Sequence, residues 1–339
     1  MGETKTIPVG IFAASSIVPQ IEFAAGIEHL KKFGFDPRID PQVNEHHFIF
    51  PGDDESRADA IYRLALDPAI PILWAARGGY GAGRLLPILD RLTRQHGKPK
   101  QKKLLVGYSD VTVLHEFVRQ RWGWSTLHAP MPAAKSFSTL DPREWNAIVS
   151  LIQQKPTALP WEAAPLQWMT HPPTKNIRAD LIGGNLSLWS ALVGTPYAQR
   201  GTGKIIFLED VDEAFYRIDR MMIQLEQSGA FDGAAAIVLG DFTDCHDEDN
   251  QCLADPATGA KKPLRKVYDQ TEAFEQIFIP LADRVGVPLA QGLGVGHGPH
   301  YAPLPLGATY ELSPDGMLRL MEWDWLRRGE PGVRPLVLA

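Results

Sequence analysis

Apolar residues along the chain gather in short unbroken runs separated by longer stretches of helical period. Ile7 to Phe12, Ile70 to Ala75 and Lys103 to Val106 are runs of the first kind. Each is short enough to predict a buried strand. Ile21 to Phe33, Arg57 to Leu66, Arg84 to Arg94 and Val111 to Arg121 read as helices. Their ends carry the expected punctuation: Asp53 and Asp54 are good caps ahead of the second helix, and Gly34 stops the first. Strand, turn and helix repeated in this way predict parallel strands joined by crossover helices.

Pro156 to Pro173 breaks the pattern. The stretch is proline-rich, with large apolar anchors at Trp161, Trp168 and Met169, and it reads as a linker. The expected organisation is an N-terminal α/β domain over residues 1–155, a linker over 156–178 and a mixed α/β domain over 179–339. In the second half, Lys204 to Leu208, Ala235 to Leu239, Leu304 to Leu312 and Leu318 to Glu322 read as strands. The late pair looks antiparallel. Phe215 to Gln227 reads as a helix whose Met221, Met222 and Leu225 belong to the core. Cys245 to Lys262 is polar, contains Pro256 and Gly259, and predicts a mobile surface loop.

Composition narrows the class. Hydrophobic residues at 44% and charged residues at 22% exclude a disordered chain and fit a globular protein with a real core. A net charge of −6 speaks against a broad basic face, so no nucleic-acid partner is expected. Only two cysteines occur, too few for a disulfide framework, which fits a reducing compartment. No apolar run has the length of a membrane span. Ile7 to Val18 has some likeness to a signal-peptide core, but Pro8, Gly10, Ser15 and Ser16 interrupt it and only Lys5 precedes it as a positive charge. A buried strand followed by a loop is the better reading, and the expected location is cytoplasmic.

Four segments could carry chemistry. Ser109 follows a buried strand, sits in the turn Gly107-Tyr108-Ser109-Asp110 and precedes a helix. That is the setting of a nucleophile elbow, although Val111 stands where G-x-S-x-G has its last glycine. A Ser-Asp pair before a helix is also an ordinary cap. Gly78 to Gly83 is a glycine-rich turn that lets backbone N–H groups approach an anion, or simply makes a tight turn. No Lys-Ser or Lys-Thr follows it, as a phosphate loop requires. Glu209 ends a strand inside an acidic cluster with Asp210, Asp212 and Glu213, where it could orient a histidine or merely be solvated. His297 lies among Gly292, Gly294, Gly296 and Gly298, with His300 as its competitor. Cys245, His246 and Cys252 lack an evident fourth ligand, and the adjacent His46 and His47 would point apart on a strand, so no metal is expected.

Taken in order, six motifs resemble the LD-carboxypeptidase family, which includes murein tetrapeptide carboxypeptidases and microcin immunity peptidases. They are Arg77-Gly78-Gly79-Tyr80-Gly81, Gly107-Tyr108-Ser109-Asp110-Val111-Thr112, Gly183-Gly184-Asn185-Leu186, Phe207-Leu208-Glu209-Asp210-Val211, Tyr216-Arg217-Ile218-Asp219-Arg220 and Gly296-His297. Each alone is weak, but their order and spacing cover nearly the whole chain. The resemblance implies an N-terminal parallel-sheet domain like that of class I glutamine amidotransferases and a smaller, swivelling β/β/α-type C-terminal domain. It implies a Ser-Glu-His triad of Ser109, Glu209 and His297, with the backbone N–H groups of Gly79 and Asp110 as the oxyanion hole. It also implies a homodimer without cofactor or metal.

The activity implied is serine-type hydrolysis between an L-centre and a terminal D-amino acid, with a murein tetrapeptide as the expected substrate in peptidoglycan recycling. Arg77 beside the glycine turn could pair with a substrate carboxylate or sit in a structural ion pair. An immunity-type peptidase acting on a peptidyl-nucleotide is the alternative within the family, with Trp161 or Trp168 stacking a base or simply locking the domains. A non-catalytic ligand-binding module is the alternative outside it. The chain departs from the family in having Ala14-Ser15-Ser16 where Pro-Ser-Ser is common, and in the Cys245 to Lys262 segment, which looks like an insertion.

Overall fold

A computed structural model describes residues 6–156, 159–247, 252–254, 258, 261–263 and 268–326. The strands are β1 (Ile7–Phe12), β2 (Phe35–Ile39), β3 (Ile72–Ala75), β4 (Leu104–Gly107), β5 (Ser125–His128), β6 (Gln167–Trp168), β7 (Ile177–Asn185), β8 (Ile205–Val211), β9 (Ala236–Thr243), β10 (Cys252–Ala254), β11 (Lys261–Pro263), β12 (Leu289–Gln291), β13 (Leu304–Leu306), β14 (Thr309–Leu312) and β15 (Leu318–Glu322). The helices are α1 (Gln20–Lys32), α2 (Asp54–Leu66), α3 (Leu86–His96), α4 (Thr112–Phe117), α5 (Pro142–Ile152), α6 (Leu186–Ala191), α7 (Phe215–Gln227) and α8 (Gln270–Val285).

The first sheet has the order β13-β5-β4-β3-β1-β2. Its five N-terminal strands run parallel, as the strand–helix alternation predicts, and β13 closes the edge antiparallel to β5. The second sheet has the order β15-β14-β7-β8-β9-β12-β6. Its β7, β8, β9 and β12 run parallel, β14 lies antiparallel between β7 and β15, and β6 lies antiparallel to β12. The α/β class and the antiparallel late strands therefore stand. One continuous apolar core takes Val106 and Leu127 from the first sheet together with Leu181, Phe207 and Tyr310 from the second. Burial of that shared core holds the two sheets together.

Several elements differ from the sequence reading. Leu304 to Leu312 is two strands in two different sheets. Gly307 at φ 80° turns the chain between them, so the second half of the sequence supplies the edge strand of the first sheet. The helix expected from Val111 opens as a 3₁₀ turn at Ser109–Val111, becomes α4, and continues as a π-turn over Val118–Trp122. The strand β7 ends in a double glycine and was not anticipated. A Cβ on Gly183, at φ 118°, would stand 2.0 Å from the Phe207 carbonyl oxygen, so only glycine lets β7 lie against β8 here. The stretch expected as a linker carries a 3₁₀ turn at Pro160–Ala163 with Trp161 buried, and its β6 pairs with β12. The Trp168 indole donates to the Pro314 carbonyl at 2.9 Å. Within the segment expected as a loop, β10 and β11 form an antiparallel hairpin, and Cys245 is buried in the core with its thiol pushed up to about 12 by burial. Residues 248–251, 255–257 and 259–260 of that segment lie outside the described residues. Among the described residues, no helix is long and apolar enough to cross a membrane.

Candidate active site

The apolar strand β4 delivers Tyr108 and then Ser109 to the carboxyl edge of the first sheet. Ser109 has φ 60°, a left-handed conformation that a non-glycine residue adopts only where its surroundings enforce it. The enforcement is visible on both sides. A Cβ on Gly107 would lie 2.8 Å from Val111 Cγ1, and one on Gly78 would lie 3.0 Å from Ser109 Cβ. The sharp strand-to-helix turn thus packs closely against both glycines, and the half-buried hydroxyl is presented at its apex.

The glycine turn after β3 packs directly on that apex. Gly79 and Gly81 have φ of 112° and 125°, which glycine alone adopts without strain. Tyr80 N–H donates to Ser16 Oγ at 3.2 Å, and Ala82 N–H donates to Asp110 Oδ2 at 2.8 Å. Ser16 in the departing Ala14-Ser15-Ser16 stretch therefore anchors the turn. Asp110 is buried, and burial raises its carboxyl above the usual range, against the pull of the Ala82 and Gly81 N–H groups and Arg57. Its side chain ties the elbow to the glycine turn. Its own N–H, in the first turn of a helical segment, has no intrahelical acceptor.

Glu209 arrives on β8 and is fully buried. His297 arrives in the loop after β12, where Gly296 has φ 139°. A Cβ on Gly296 would come within 2.9 Å of Glu209 Oε2, and one on Gly298 within 2.3 Å of Asp241 Oδ2, so the flanking glycines let the loop settle onto both carboxylates. His297 Nδ1 lies 2.7 Å from Glu209 Oε2. Burial alone would raise the Glu209 carboxyl, but the imidazoles of His297 and His128 hold it down to about 2. Burial would lower His297, and the Glu209 charge reverses this, leaving it above the usual imidazole value. Asp241 is raised by burial and by Glu209.

Ser109 and His297 line one cavity of about 180 Å³, together with Arg77, Gly78, Gly79 and Met131. No direct hydrogen bond joins Ser109 to His297 among the described residues, the loose arrangement common before substrate binds. The Arg77 guanidinium donates through Nη1 to the Ile17 carbonyl at 2.7 Å and has no carboxylate partner among the described residues. The competing histidine, His300, is 79% exposed in its side chain and stands 3.4 Å from Glu144, so it belongs to a different surface. The sequence reading thus brings Ser109, Glu209, His297, Gly79, Asp110 and Arg77 to one place. It missed His128, whose Nε2 is 3.7 Å from Glu209 Oε1. A histidine ending a short apolar run was the available signal.

Residues 9–129 match the LD-carboxypeptidase N-terminal domain and residues 178–312 the LD-carboxypeptidase C-terminal domain. The chain belongs to the LD-carboxypeptidase family. The N-terminal match contains Ser109 and the C-terminal match contains Glu209 and His297. The chain is 30% identical to the murein tetrapeptide carboxypeptidase of Pseudomonas aeruginosa over 89% of its own length and 91% of the relative's. Among solved structures, muramoyltetrapeptide carboxypeptidase from Oxalobacter formigenes superposes with a TM-score of 0.67 at 27% identity, covering 92% of this chain and 96% of that one. The microcin immunity protein MccF in complex with glutamyl sulfamoyl guanosine superposes with a TM-score of 0.71 at 20% identity, covering 95% and 97%, and so shares the fold.

Proposed function

We propose that this LD-carboxypeptidase is a serine peptidase that removes the terminal D-alanine of a murein tetrapeptide. The observation that carries the reading is a positive-φ serine facing the same cavity as a histidine whose Nδ1 is bound at 2.7 Å by a buried carboxylate. Ser109 Oγ attacks the amide carbonyl carbon as His297 Nε2 takes its proton. Negative charge on the carbonyl oxygen is received by the N–H groups of Gly79 and Asp110. Glu209 keeps Nδ1 protonated and stabilises the imidazolium. The C–N bond then breaks, and the imidazolium returns its proton to the leaving amine. A water molecule, deprotonated by His297, cleaves the acyl-enzyme ester and regenerates Ser109.

The cavity supports a small leaving group. Met131, Ala133 and Ala134 narrow it, and Arg77 supplies a guanidinium for the terminal carboxylate, which could not be buried unpaired. The enzyme acts in this reading as a cytoplasmic homodimer on peptides recovered from wall turnover. The test compares D-alanine release from the tetrapeptide, its C-terminal amide and its L-alanine epimer, beside cleavage of a peptidyl-nucleotide, all read by mass spectrometry. The free acid with D-alanine should be much the best substrate. Comparable kcat/KM for acid and amide, with faster cleavage of the peptidyl-nucleotide, would assign the chain to the immunity-type reaction instead.

A further inference from the structure

Glu209 is gripped from two sides. His297 takes its Oε2 oxygen, and His128 stands 3.7 Å from the other oxygen, Oε1. Both His128 Nε2 and Glu209 Oε1 are buried and have no hydrogen-bond partner. Two buried polar atoms left orphaned and facing each other are costly, and each is the other's natural partner. The two residues come from different sheets. His128 ends β5, in register with Gly107 on β4 and Leu304 on β13, whereas Glu209 sits on β8. The His128 ring is fixed edge-on against Phe207 at 5.6 Å and against Tyr108 at 5.5 Å between ring centres. Tyr108 in turn packs on the His297 ring at 4.8 Å.

We propose that His128 is a positioning residue of the triad: its Nε2–H holds Glu209 Oε1, so that Oε2 is aimed at His297. The inference rests on the serine-peptidase reading above. The present 3.7 Å is an electrostatic contact, and an approach of about 0.7 Å makes it a hydrogen bond. Because His128 stands on the nucleophile's sheet and Glu209 on the other, the contact also registers the two halves of the site against each other. A carboxylate without this second hold is free to rotate about its last torsion, which is broad.

The role has a signature that packing alone lacks. A donor on Oε1 withdraws part of the Glu209 charge from His297. Removing it leaves more negative charge for the imidazolium, which raises the His297 pKa and moves the acid limb of kcat/KM to higher pH. The other titratable groups around this pair are Asp210 on β8, Asp241 on β9, Tyr108 after β4, His115 on α4 and Tyr301 in the loop before β13, and none is altered by the substitution.

The test uses His128→Phe, which keeps a ring against Phe207 and Tyr108, and His128→Gln, whose amide nitrogen can reach Oε1. In His128→Phe, kcat should fall roughly tenfold, the size seen when outer partners of catalytic or ligating groups are lost, with KM nearly unchanged. The acid limb should move up by about 0.5–1 pH unit, the size of one hydrogen bond. His128→Gln should recover most of the rate and return the limb. Wild-type kcat and an unmoved limb in His128→Phe would overturn the proposal, as would equal losses in both variants with the limb unmoved. ¹⁵N spectra of the wild-type protein give a reading independent of folding: His128 should carry a proton on Nε2, and a ring protonated on Nδ1 alone would refute the assigned donor. Full activity in Ser109→Ala would remove the serine-peptidase reading instead, and would leave that tautomer result standing.

Discussion

Replacing Glu209 by Gln removes a buried charge while keeping the side chain's shape, and its effect on His297 can be worked from the structure. The Nδ1–Oε2 separation of 2.7 Å is that of a short, charge-assisted hydrogen bond. Such bonds contribute about 1.5–3 kcal/mol, which at about 1.4 kcal/mol per pH unit corresponds to roughly 1–2 units of His297 pKa. His297 must be neutral to accept the Ser109 proton, so activity is lost as pH falls through its pKa. Glu209 raises that pKa, and Glu209→Gln should therefore move the acid limb of kcat/KM to lower pH by about 1–2 units. The plateau should also drop. The amide of Gln can donate to Nδ1 and so favour the tautomer that carries its proton on Nε2, which cannot receive one from serine. The corresponding change in other triads costs up to about 10⁴ in rate. The assay is kcat/KM for D-alanine release between pH 4 and 9, with circular dichroism to establish folding. An unmoved or upward-moved acid limb, or an undiminished plateau in a folded variant, would refute the coupling of Glu209 to His297.

Stability should respond to the same carboxylate: Glu209 is held at about 2 against an ordinary 4.5, so its contribution is complete above pH 4.5 and is lost as pH falls toward 2, and Glu209→Gln should flatten that part of a plot of Tm against pH. Gly78→Ala should fold, since its backbone is ordinary and the added methyl meets side-chain atoms of Ser109 and Met131 at 3.0–3.3 Å, but kcat/KM should fall at least about tenfold because that methyl sits against the proposed nucleophile, Ser109; unchanged kinetics would place the reacting carbonyl elsewhere. Gly79→Ala, forced to φ 112° and to 2.3 Å from Ser16 Oγ, should instead lower stability by about 1–3 kcal/mol in urea unfolding. Arg77→Gln should raise KM for the free-acid tetrapeptide and leave the amidated peptide nearly unaffected, so equal effects on both would remove Arg77 from carboxylate recognition.

The parts of this structure that were legible beforehand share a cause. Runs such as Leu104 to Val106 and Ile205 to Leu208 are strands buried on both faces, and a continuous apolar run is the direct imprint of that burial. The residues proposed as the triad could be picked out because Ser109 follows a buried strand, Glu209 lies in an acidic cluster at the far end of another and His297 sits among glycines, and because the motif order matches a known family. What escaped was set by distant partners. β7 reads poorly because Gly183 and Gly184 have no side chains to show a period, and their role is visible only when Phe207 and Thr112 are seen against them. The split of Leu304 to Leu312 between two sheets depends on the Gly307 turn and on β5 and β7 waiting on either side, none of which local pattern records. His128 carries only the weak local signal of a histidine ending a short apolar run, because its meaning comes from a carboxylate 81 residues away in sequence.

Turnover by Ser109→Ala decides whether Ser109 is the nucleophile. Purified wild type and variant, both shown to be folded, are given the murein tetrapeptide, and released D-alanine is followed by mass spectrometry. Ser109→Ala should lose several orders of magnitude in turnover, with His297→Ala similarly impaired and the double variant little worse than either, because the two act in one proton-transfer step. Near-wild-type release by Ser109→Ala would rule Ser109 out as the nucleophile.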